Sequence, residues 1–325
     1  MNQEWLSASS KPGGPTSPTT YDRLTTTTKA KENDDIIEIM SISSYLISKA
    51  LPKVREKYFT VKEDETLVES DYVIPTNLDL SCSISYELIS GRKFYYLNKE
   101  SEEKLTFFYF HGGGFVREFF DTQWKFLSRL VNKTNGKVVT PIYRLAPFGN
   151  IFEIYDYFLP FYEKYLSSHP EEKIVLMGDS AGGNIVASIY LELIKRNIKL
   201  PDRLILISPW LDLTNSNPET KEYIDKDPLL TFEGLVKASE YWCGSLDKKD
   251  PMFSPIYAEP SLFKNTLVTY GDRELFYPDI KIFADSISGD PSNKILFKHK
   301  MNHVYPLYPI REAKEALKVI VDFVK

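Results

Sequence analysis

A serine flanked by glycines is the strongest chemical signal in this sequence. Ser180 lies in Gly178-Asp179-Ser180-Ala181-Gly182, directly after an apolar run and directly before a stretch with helical spacing. A serine at a sharp strand-to-helix turn needs small residues two positions to either side, because strand and helix approach closely there. The pattern predicts that Ser180 is a nucleophile. A phosphate-binding glycine turn is the alternative, but phosphate motifs need other glycine spacings or a lysine after the last glycine.

A run of three glycines offers the donors that such a nucleophile needs. His111-Gly112-Gly113-Gly114 follows the apolar stretch 105–110. Backbone N–H groups of this loop can point into a cavity, and a carbonyl oxygen that becomes negative during attack is stabilised by such preorganised donors. The run therefore predicts an oxyanion hole. A glycine-rich turn without function is the alternative, and it gives no reason for the serine motif that follows.

The base must be a histidine that can reach Ser180. In chains with this strand-turn-helix motif the acid and then the histidine follow the serine. Only His299 and His303 lie after Ser180. His299 falls inside the predicted strand 294–300, whereas His303 follows in a loop that can place its imidazole over the serine. We predict that His303 is the base.

Three carboxylates compete for the role of the acid that orients the imidazole. Asp272, Glu274 and Asp279 all follow the predicted strand 266–270 within eight positions. One of them should stabilise the imidazolium cation. Asp279 fits the cap of a following helix, and the residues alone leave the choice between Asp272 and Glu274 open.

The elements that must position these residues alternate along the chain. Residues 80–97 alternate in polarity around Ser90-Gly91-Arg92, which predicts a hairpin. Further on, short apolar runs alternate with helix-length segments as far as the carboxyl terminus. This order predicts an α/β fold with a mostly parallel sheet covered by helices, in which functional residues lie where strands end.

Two segments could cover the site, and the amino terminus differs from the rest. Residues 1–30 hold few apolar residues, so we predict a flexible tail. Residues 36–51 have one apolar helical face and end at Pro52, which predicts a helix within an amino-terminal cap segment, residues 31–70. Residues 71–325 are predicted to form the catalytic domain, with a proline-rich cap insertion at about 212–262.

Composition excludes several classes of function. The 325 residues carry a net charge of −5 with both signs interspersed, so we expect neither nucleic acid nor an anionic membrane as a partner. The two cysteines, Cys82 and Cys243, lack disulfide or zinc spacing and are predicted to be free thiols. No metal or cofactor is expected. Without a recognisable leader or apolar span, the expected location is cytoplasmic. A homodimer stays open as the oligomeric state.

Five separated motifs resemble the hormone-sensitive lipase family of α/β-hydrolases. The resemblance covers roughly residues 104–325. It rests on His111-Gly112-Gly113-Gly114, Tyr143-Arg144-Leu145-Ala146-Pro147, Gly178 to Asn184, Ser208-Pro209-Trp210-Leu211-Asp212-Leu213, and His303 after the last strand.

The resemblance implies a serine carboxylesterase with a helical cap. Ser180 would attack, His303 would act as base and then acid, and the N–H groups of Gly113, Gly114 and Ala181 would hold the oxyanion. The family's acid stands three residues after a glycine that ends its strand, which gives Glu274, with Asp272 as the reserve. Independently of the resemblance, the aromatic residues near the motifs, such as Phe115, Phe119 and Trp210, suggest that the substrate is a small apolar ester with a short or medium acyl chain. An amidase or deacetylase using the same triad, and a non-catalytic ligand-binding relative, are the alternatives.

Overall fold

The structure, a computed structural model, describes residues 40–58 and 71–325, and it contains seven α-helices and eight β-strands within these ranges. The predicted tail at residues 1–30 lies outside the described residues. The strands are β1 (Ile84–Ile89), β2 (Arg92–Leu97), β3 (Leu105–Phe110), β4 (Lys137–Pro141), β5 (Lys173–Asp179), β6 (Arg203–Ile207), β7 (Thr266–Arg273) and β8 (Lys294–Asn302). The helices are α1 (Ile42–Tyr58), α2 (Asp121–Thr134), α3 (Ile151–Ser168), α4 (Ala181–Lys195), α5 (Phe232–Cys243), α6 (Tyr277–Ile287) and α7 (Arg311–Val324).

All eight strands form one sheet in the order β1-β2-β4-β3-β5-β6-β7-β8. The β1–β2 and β2–β4 pairs are antiparallel, and every other pair is parallel. The predicted hairpin is confirmed, because Ser90 and Gly91 both take positive φ between the paired residues Ile89 and Arg92. β3, β5 and β6 are almost wholly buried, as expected of parallel strands covered on both faces. The predicted α/β fold is therefore confirmed.

Helix α1 differs from its prediction in extent and in the face that it buries. The predicted stop at Pro52 is wrong, since the helix continues to Tyr58. Leu51 is buried and Val54 packs against the core, so both sides of the proline are held by packing that outweighs its missing N–H. Ile42 and Leu46, expected on the buried face, are 81% and 61% exposed.

The buried face of α1 instead carries small polar residues. Ser44 and Ser48 are buried together with Leu51, at helical spacing. The preceding Ser41 caps the helix, because its Oγ accepts the N–H of Ser44 at 3.2 Å. Ser41 also donates from its N–H and its Oγ to Glu312 on α7, at 2.8 and 2.7 Å. The start of α1 is thus anchored to the carboxyl-terminal helix.

The connection between β6 and β7 is long and mostly irregular. It contains α5 and three short 3-10 helices, Pro218–Tyr223, Pro255–Tyr257 and Pro260–Leu262. Its apolar residues Leu229, Leu230 and Leu235 are buried. The boundaries given to a cap insertion at 212–262 stay a prediction.

Neither cysteine forms a disulfide, and none of the described helices is long and apolar enough to cross a membrane. Cys243 lies on the buried face of α5, and burial raises the pKa of its thiol to about 12. A thiol with so high a pKa holds little thiolate near neutral pH, so Cys243 is a structural residue.

The turn around Ser180 has no room for side chains at its glycines. A Cβ on Gly182 would lie 2.0 Å from the carbonyl oxygen of Phe110, and a Cβ on Gly178 would lie 2.3 Å from the carbonyl oxygen of Gly182. These atoms belong to the backbones of β3 and α4, so they cannot move without shifting the strand or the helix. The predicted reason for the two glycines, close approach of strand and helix, is therefore confirmed at the atomic level.

We expect Gly182→Ala to lower the free energy of unfolding by at least about 3 kcal/mol, since a methyl group must push two packed backbones apart. Urea unfolding of the purified variant measures this loss. Gly289→Ala is the matched control, because a Cβ on Gly289 has nothing within 4 Å. The control should stay within about 0.5 kcal/mol of the parent. Equal midpoints for both variants would contradict the steric argument.

Candidate functional site

Ser180 lies at the carboxyl end of β5, in the centre of the sheet, and directly precedes α4. Its backbone has φ 54° and ψ −121°, a conformation that side-chain-bearing residues rarely adopt. The N–H of Ser180 donates to the carbonyl of Ile207 at 2.8 Å, and its own carbonyl accepts the N–H of Trp210 at 3.1 Å. These bonds to the end of β6 and to the segment that follows it hold the strained turn, so the serine hydroxyl is presented above the carboxyl edge of the sheet.

His303 connects Ser180 to a carboxylate. Its Nε2 lies 2.9 Å from the Oγ of Ser180, and its Nδ1 lies 2.6 Å from the Oε2 of Glu274. All three side chains are buried. Ser180, Glu274 and His303 follow β5, β7 and β8 in turn, so the carboxyl ends of three parallel strands bring them together. The sequence-predicted Ser180, His303 and Glu274 thus form one hydrogen-bonded series.

Glu274 is held by more than the histidine. Its Oε1 accepts the N–H of Gly271 at 2.8 Å and the hydroxyl of Ser208 at 3.1 Å. The Oγ of Ser208 in turn accepts the N–H of Val304 at 3.0 Å. Val304 has φ 52°, which is strained for a β-branched residue. Ser208 therefore links Val304, which directly follows His303, to Glu274, the carboxylate that His303 contacts.

The two other candidate carboxylates point elsewhere. Asp272 contacts the Nδ1 of His299 at 3.0 Å, near the surface, where the histidine side chain is 58% exposed. Asp279 lies in the first turn of α6 and accepts a bond from the side chain of Asn217 at 2.6 Å. It is not the cap that its position suggested, because Phe276 occupies that place. Neither carboxylate takes part in the series from Ser180 to Glu274.

The glycine loop after β3 faces Ser180 in a conformation that needs glycine. Gly113 and Gly114 have φ 128° and 62°, and a Cβ on Gly113 would lie 2.7 Å from the carbonyl oxygen of Arg117. Ala181 is the first residue of α4, so its N–H has no acceptor within the helix. The loop and the helix start both border the space beside Ser180.

Asp179, the residue before the serine, ties this loop to the turn. Its Oδ1 accepts the N–H of Gly112 at 2.9 Å and the hydroxyl of Tyr109, and Gln123 donates to its Oδ2 at 3.0 Å. Burial raises the pKa of Asp179, while these donors oppose the rise. His111, at the start of the loop, stacks on Tyr143, and burial lowers its pKa to about 4. The imidazole of His111 is therefore neutral and structural.

Two cavities meet at Ser180. The larger has a volume of about 560 Å³ and the smaller about 30 Å³. Gly113 and Ser180 border both. The apolar walls of the larger cavity come from α1, the glycine loop, the β6–β7 connection and the segment after His303: Leu51, Val54, Phe119, Leu229, Leu307 and Tyr308.

Of the aromatic residues singled out near the motifs, Phe119 alone lines the larger cavity. Phe115 and Trp210 are fully buried behind it, with ring centroids 5.4 Å apart. Phe115 also stacks on Trp242 of α5, with centroids 4.4 Å apart. These rings support the loop from behind and do not meet a substrate in the larger cavity.

Asp227 joins the β6–β7 connection to the segment that carries Glu274. Its Oδ1 accepts the N–H groups of Leu229 and Leu230 at 2.7 and 2.9 Å, and its Oδ2 accepts the N–H of Leu275 at 2.9 Å. Its backbone carbonyl accepts a bond from Arg55 of α1 at 3.2 Å. Burial raises the pKa of Asp227, and the nearby His303 opposes that rise. One buried carboxylate thus connects cavity-lining residues with the residue after Glu274.

We expect Asp227→Asn to lower kcat about 10-fold and to leave KM nearly unchanged, because an amide cannot accept all three backbone N–H bonds and the segment that carries Glu274 loosens. Steady-state kinetics on p-nitrophenyl acetate measures the effect. The exposed Asp225→Asn is the matched control. A rise in KM at constant kcat would show that Asp227 serves the cavity wall and not the acid.

Sequence reasoning did not identify Asp179, Ser208 or Asp227. Asp179 and Ser208 lie inside the motifs described above, but the motifs did not indicate which residues these two side chains contact. Asp227 lies in the connection, where no local pattern indicated it. Within residues 40–58 and 71–325, no three His, Cys, Asp or Glu side chains cluster as metal ligands do.

Comparison with known proteins places this geometry in a family. The chain is 29% identical over 227 residues to an esterase of Acinetobacter venetianus, which covers 66% of this chain and 73% of that one. It is 26% identical over 147 residues to the hormone-sensitive lipase of Ictidomys tridecemlineatus, covering 44% of this chain but only 19% of that protein. A solved hormone-sensitive lipase from a metagenome library superimposes with a TM-score of 0.74 at 22% identity, over 88% of this chain and 99% of that one.

A model of a whole protein family also matches this chain. The model of the α/β-hydrolase fold matches residues 107–306, which include the glycine loop, Ser180, Glu274 and His303. The resemblance to the hormone-sensitive lipase group is confirmed by relatives that bear the names esterase and hormone-sensitive lipase. This chain belongs to the α/β-hydrolase fold family.

Proposed function

We propose that this protein is a carboxylic ester hydrolase that works through a covalent acyl-enzyme, with Ser180 as nucleophile. The Oγ of Ser180 attacks the ester carbonyl carbon, and its proton passes to the Nε2 of His303. The C–O bond then breaks and the alcohol leaves with that proton. Water attacks the acyl-enzyme in the same way, releases the acid and restores Ser180.

The observation that carries this proposal is the hydrogen-bonded series from Ser180 through His303 to Glu274. A serine hydroxyl is a weak nucleophile unless a base accepts its proton, and a base on a mobile side chain must be held in place. Glu274 orients the imidazole through Nδ1 and stabilises its cation. The three backbone and side-chain bonds to Glu274 keep that carboxylate fixed while charge develops.

The N–H groups of Gly113, Gly114 and Ala181 are the proposed donors to the oxyanion. The positive φ values of the two glycines and the first-turn position of Ala181 support this role. Asp179 fixes the loop relative to the serine, so the donors need no rearrangement when the carbonyl oxygen becomes negative. The route through the acyl-enzyme uses no metal or cofactor.

The substrate class that fits the walls is a small apolar ester with a short or medium acyl chain. A cavity of about 560 Å³ lies in the range of small-molecule sites, and its lining combines the apolar Leu51, Val54, Phe119, Leu229, Leu307 and Tyr308 with the charged Arg117, Glu118 and Asp121. Helix α1 contributes Leu51 and Val54 to that lining, the β6–β7 connection contributes Leu229, and these two segments are the proposed cap. We retain a cytoplasmic location and a homodimer as predictions.

Two experiments distinguish an ester hydrolase from the two alternatives, a non-catalytic ligand-binding protein and an amidase. A fluorophosphonate probe should label Ser180 in the folded protein, and His303→Ala should lose most of that labelling. An absent adduct on well-folded protein would support the ligand-binding alternative. Paired rates on p-nitrophenyl acetate and p-nitroacetanilide test the leaving group. Faster cleavage of the anilide would indicate an amidase.

A further inference from the structure

A further cavity, of about 510 Å³, lies between α3 and the strands β1, β2 and β4. We call it the edge cavity, because β1 is the edge strand of the sheet. It shares no lining residue with the cavity that Ser180 and His303 border. Its volume lies in the range of small-molecule sites, and the proposed ester hydrolysis gives it no role.

The edge cavity exists because α3 lies over the inner strands while β1 extends past the helix. The ring of Phe108 on β3 contacts Phe161 and Tyr165 of α3, with centroids 5.9 and 5.1 Å apart. Glu87 and Ile89 of β1 both line the cavity, since alternate residues of a strand share a face. A groove therefore remains between the β1–β2 hairpin and the helix.

One stripe of α3 forms a long wall of this groove, and its character changes along the helix. The lining residues 157, 160, 161, 164, 165 and 168 recur at helical spacing. The stripe begins with Tyr157 and Pro160 and ends with Lys164 and Ser168. From Tyr157 to Ser168 it spans about 16 Å at the rise of an α-helix. The wall thus has an apolar end and a basic end.

The strands have the same polarity as the helix. α3 returns the chain from the end of β4 to the start of the parallel β5, so its carboxyl end lies near Lys137, the first residue of β4. Lys99 follows β2 at that end, because β2 runs antiparallel to β4. Ile89, the last residue of β1, lies at the opposite end, beside the apolar start of the stripe. Three lysines therefore meet at one end of the cavity: Lys99, Lys137 and Lys164.

Two of these lysines already have a carboxylate partner. Lys99 pairs with Glu87 at 2.6 Å, and Lys137 pairs with Glu172. Lys164 is exposed and forms no ion pair with any residue in the described ranges 40–58 and 71–325. The lysine charge that remains unmatched is therefore that of Lys164, and it suits a ligand with one negative charge.

The tyrosines of the cavity offer a ligand apolar ring surface. Tyr96 and Tyr165 are 7% and 9% exposed. The hydroxyl of Tyr96 donates to Glu87 at 3.1 Å, and that of Tyr165 donates to Glu172 at 3.0 Å. Because both hydroxyls are used within the protein, a ligand meets the rings of these residues. The body of the ligand should accordingly be apolar.

We propose that the edge cavity is a second binding site, separate from Ser180, for a long-chain monocarboxylate. Its carboxylate pairs with Lys164, and its apolar chain follows the stripe toward Ile89. An extended chain advances about 1.2 Å per bond, so a stripe of about 16 Å accommodates about twelve carbons. This site stands on the geometry of the cavity and does not require that the protein hydrolyse esters.

Photo-crosslinking on the full chain locates the ligand. Dodecanoate that carries a diazirine in its chain is irradiated with the protein, and the labelled peptides are identified by mass spectrometry. Label should appear on α3 and on the β1–β2 hairpin, and excess dodecanoate should remove it. Label confined to peptides beside Ser180, or no label on α3, would overturn the proposal.

Charge reversal tests the basic end. Lys164→Glu should raise the probe concentration for half-maximal labelling of α3 at least about 10-fold, because the carboxylate then meets a like charge. Lys318→Glu is the matched control, since it makes the same charge change at an exposed position of α7. The control should label as the parent does. Equal labelling of α3 in both variants would show that Lys164 does not bind the ligand.

Competitors and a second variant test the apolar end. Dodecanoate should displace the probe at least about 10-fold better than octanoate, because the longer chain buries more apolar surface. Ile89→Asp should remove most of this difference, and Ile89→Thr, which keeps a β-branched side chain, should reduce it if the aspartate variant does not fold. Dodecanol has the same chain without the charge, and competition by dodecanol equal to that by dodecanoate would overturn the assignment to carboxylates.

Discussion

Ser180→Ala should lower kcat on p-nitrophenyl acetate by about 10⁶-fold, because the hydroxyl that is proposed to form the acyl-enzyme is gone and neither His303 nor Glu274 can replace it. The glycine loop and the cavity walls stay in place, so the variant should still bind substrate analogues. Stopped-flow measurement on the parent and long incubations on the variant give the ratio. Retention of more than about 1% of the parental kcat would point to another nucleophile.

Ser180→Gly is the control that separates chemistry from backbone strain. Both variants lack the hydroxyl and should be equally inactive. Position 180 has φ 54°, which costs a residue with a Cβ about 1–3 kcal/mol, and glycine adopts such φ values readily. The glycine variant should therefore melt at a higher temperature than the alanine variant. Identical melting curves would mean that the turn stores no strain.

Glu274→Ala should lower kcat by about 10⁴-fold, the second largest effect that we expect from a single substitution. Removing the carboxylate leaves the Nδ1 of His303 without its acceptor, and the N–H of Gly271 and the hydroxyl of Ser208 lose theirs as well. The imidazole then loses both its orientation and the charge that stabilises its cation. KM should change far less than kcat, since Glu274 lines neither cavity.

Asp272→Ala is the matched control two residues away. Its carboxylate contacts the exposed His299, so activity should stay within a few-fold of the parent. Glu274→Gln tests charge against shape, and it should remain nearly as impaired as the alanine variant, because an amide does not stabilise the imidazolium. If Asp272→Ala proved the inactive variant, our assignment of the acid would be wrong.

Sequence patterns identified those parts of the site that depend on local geometry. Ser180 and the glycine loop were predicted because the required turn conformations restrict the residues that can occupy them. The proposed acid was harder to assign, because Asp272 and Glu274 are two positions apart and a regular strand would point both side chains to one side. The pairing of β7 with β8 shifts register between Gly271 and Arg273, and this irregularity separates their directions. No sequence pattern revealed the shift.

Contacts between residues far apart in the chain explain the other differences between the sequence-based predictions and the structure. Asp227 acts on a segment 48 positions away in the chain, a contact that only the folded sheet creates. Pro52 was expected to end a helix because local preference favours a stop, yet packing on both sides of it carries α1 further. In both cases tertiary interactions outweigh what neighbouring residues dictate.

Ser180 and His303, the proposed nucleophile and base, are 123 residues apart in the chain. Ribosomes add about 5–20 residues per second, so roughly 6–25 s pass between the synthesis of Ser180 and that of His303. During this interval the emerging chain carries the serine without a base and cannot attack esters around it. Since β8 must also join the sheet before His303 reaches its position, enzymatic activity in a translation reaction reports completion of the fold. Reactivity is thereby withheld until His303 has been synthesised and β8 has joined the sheet.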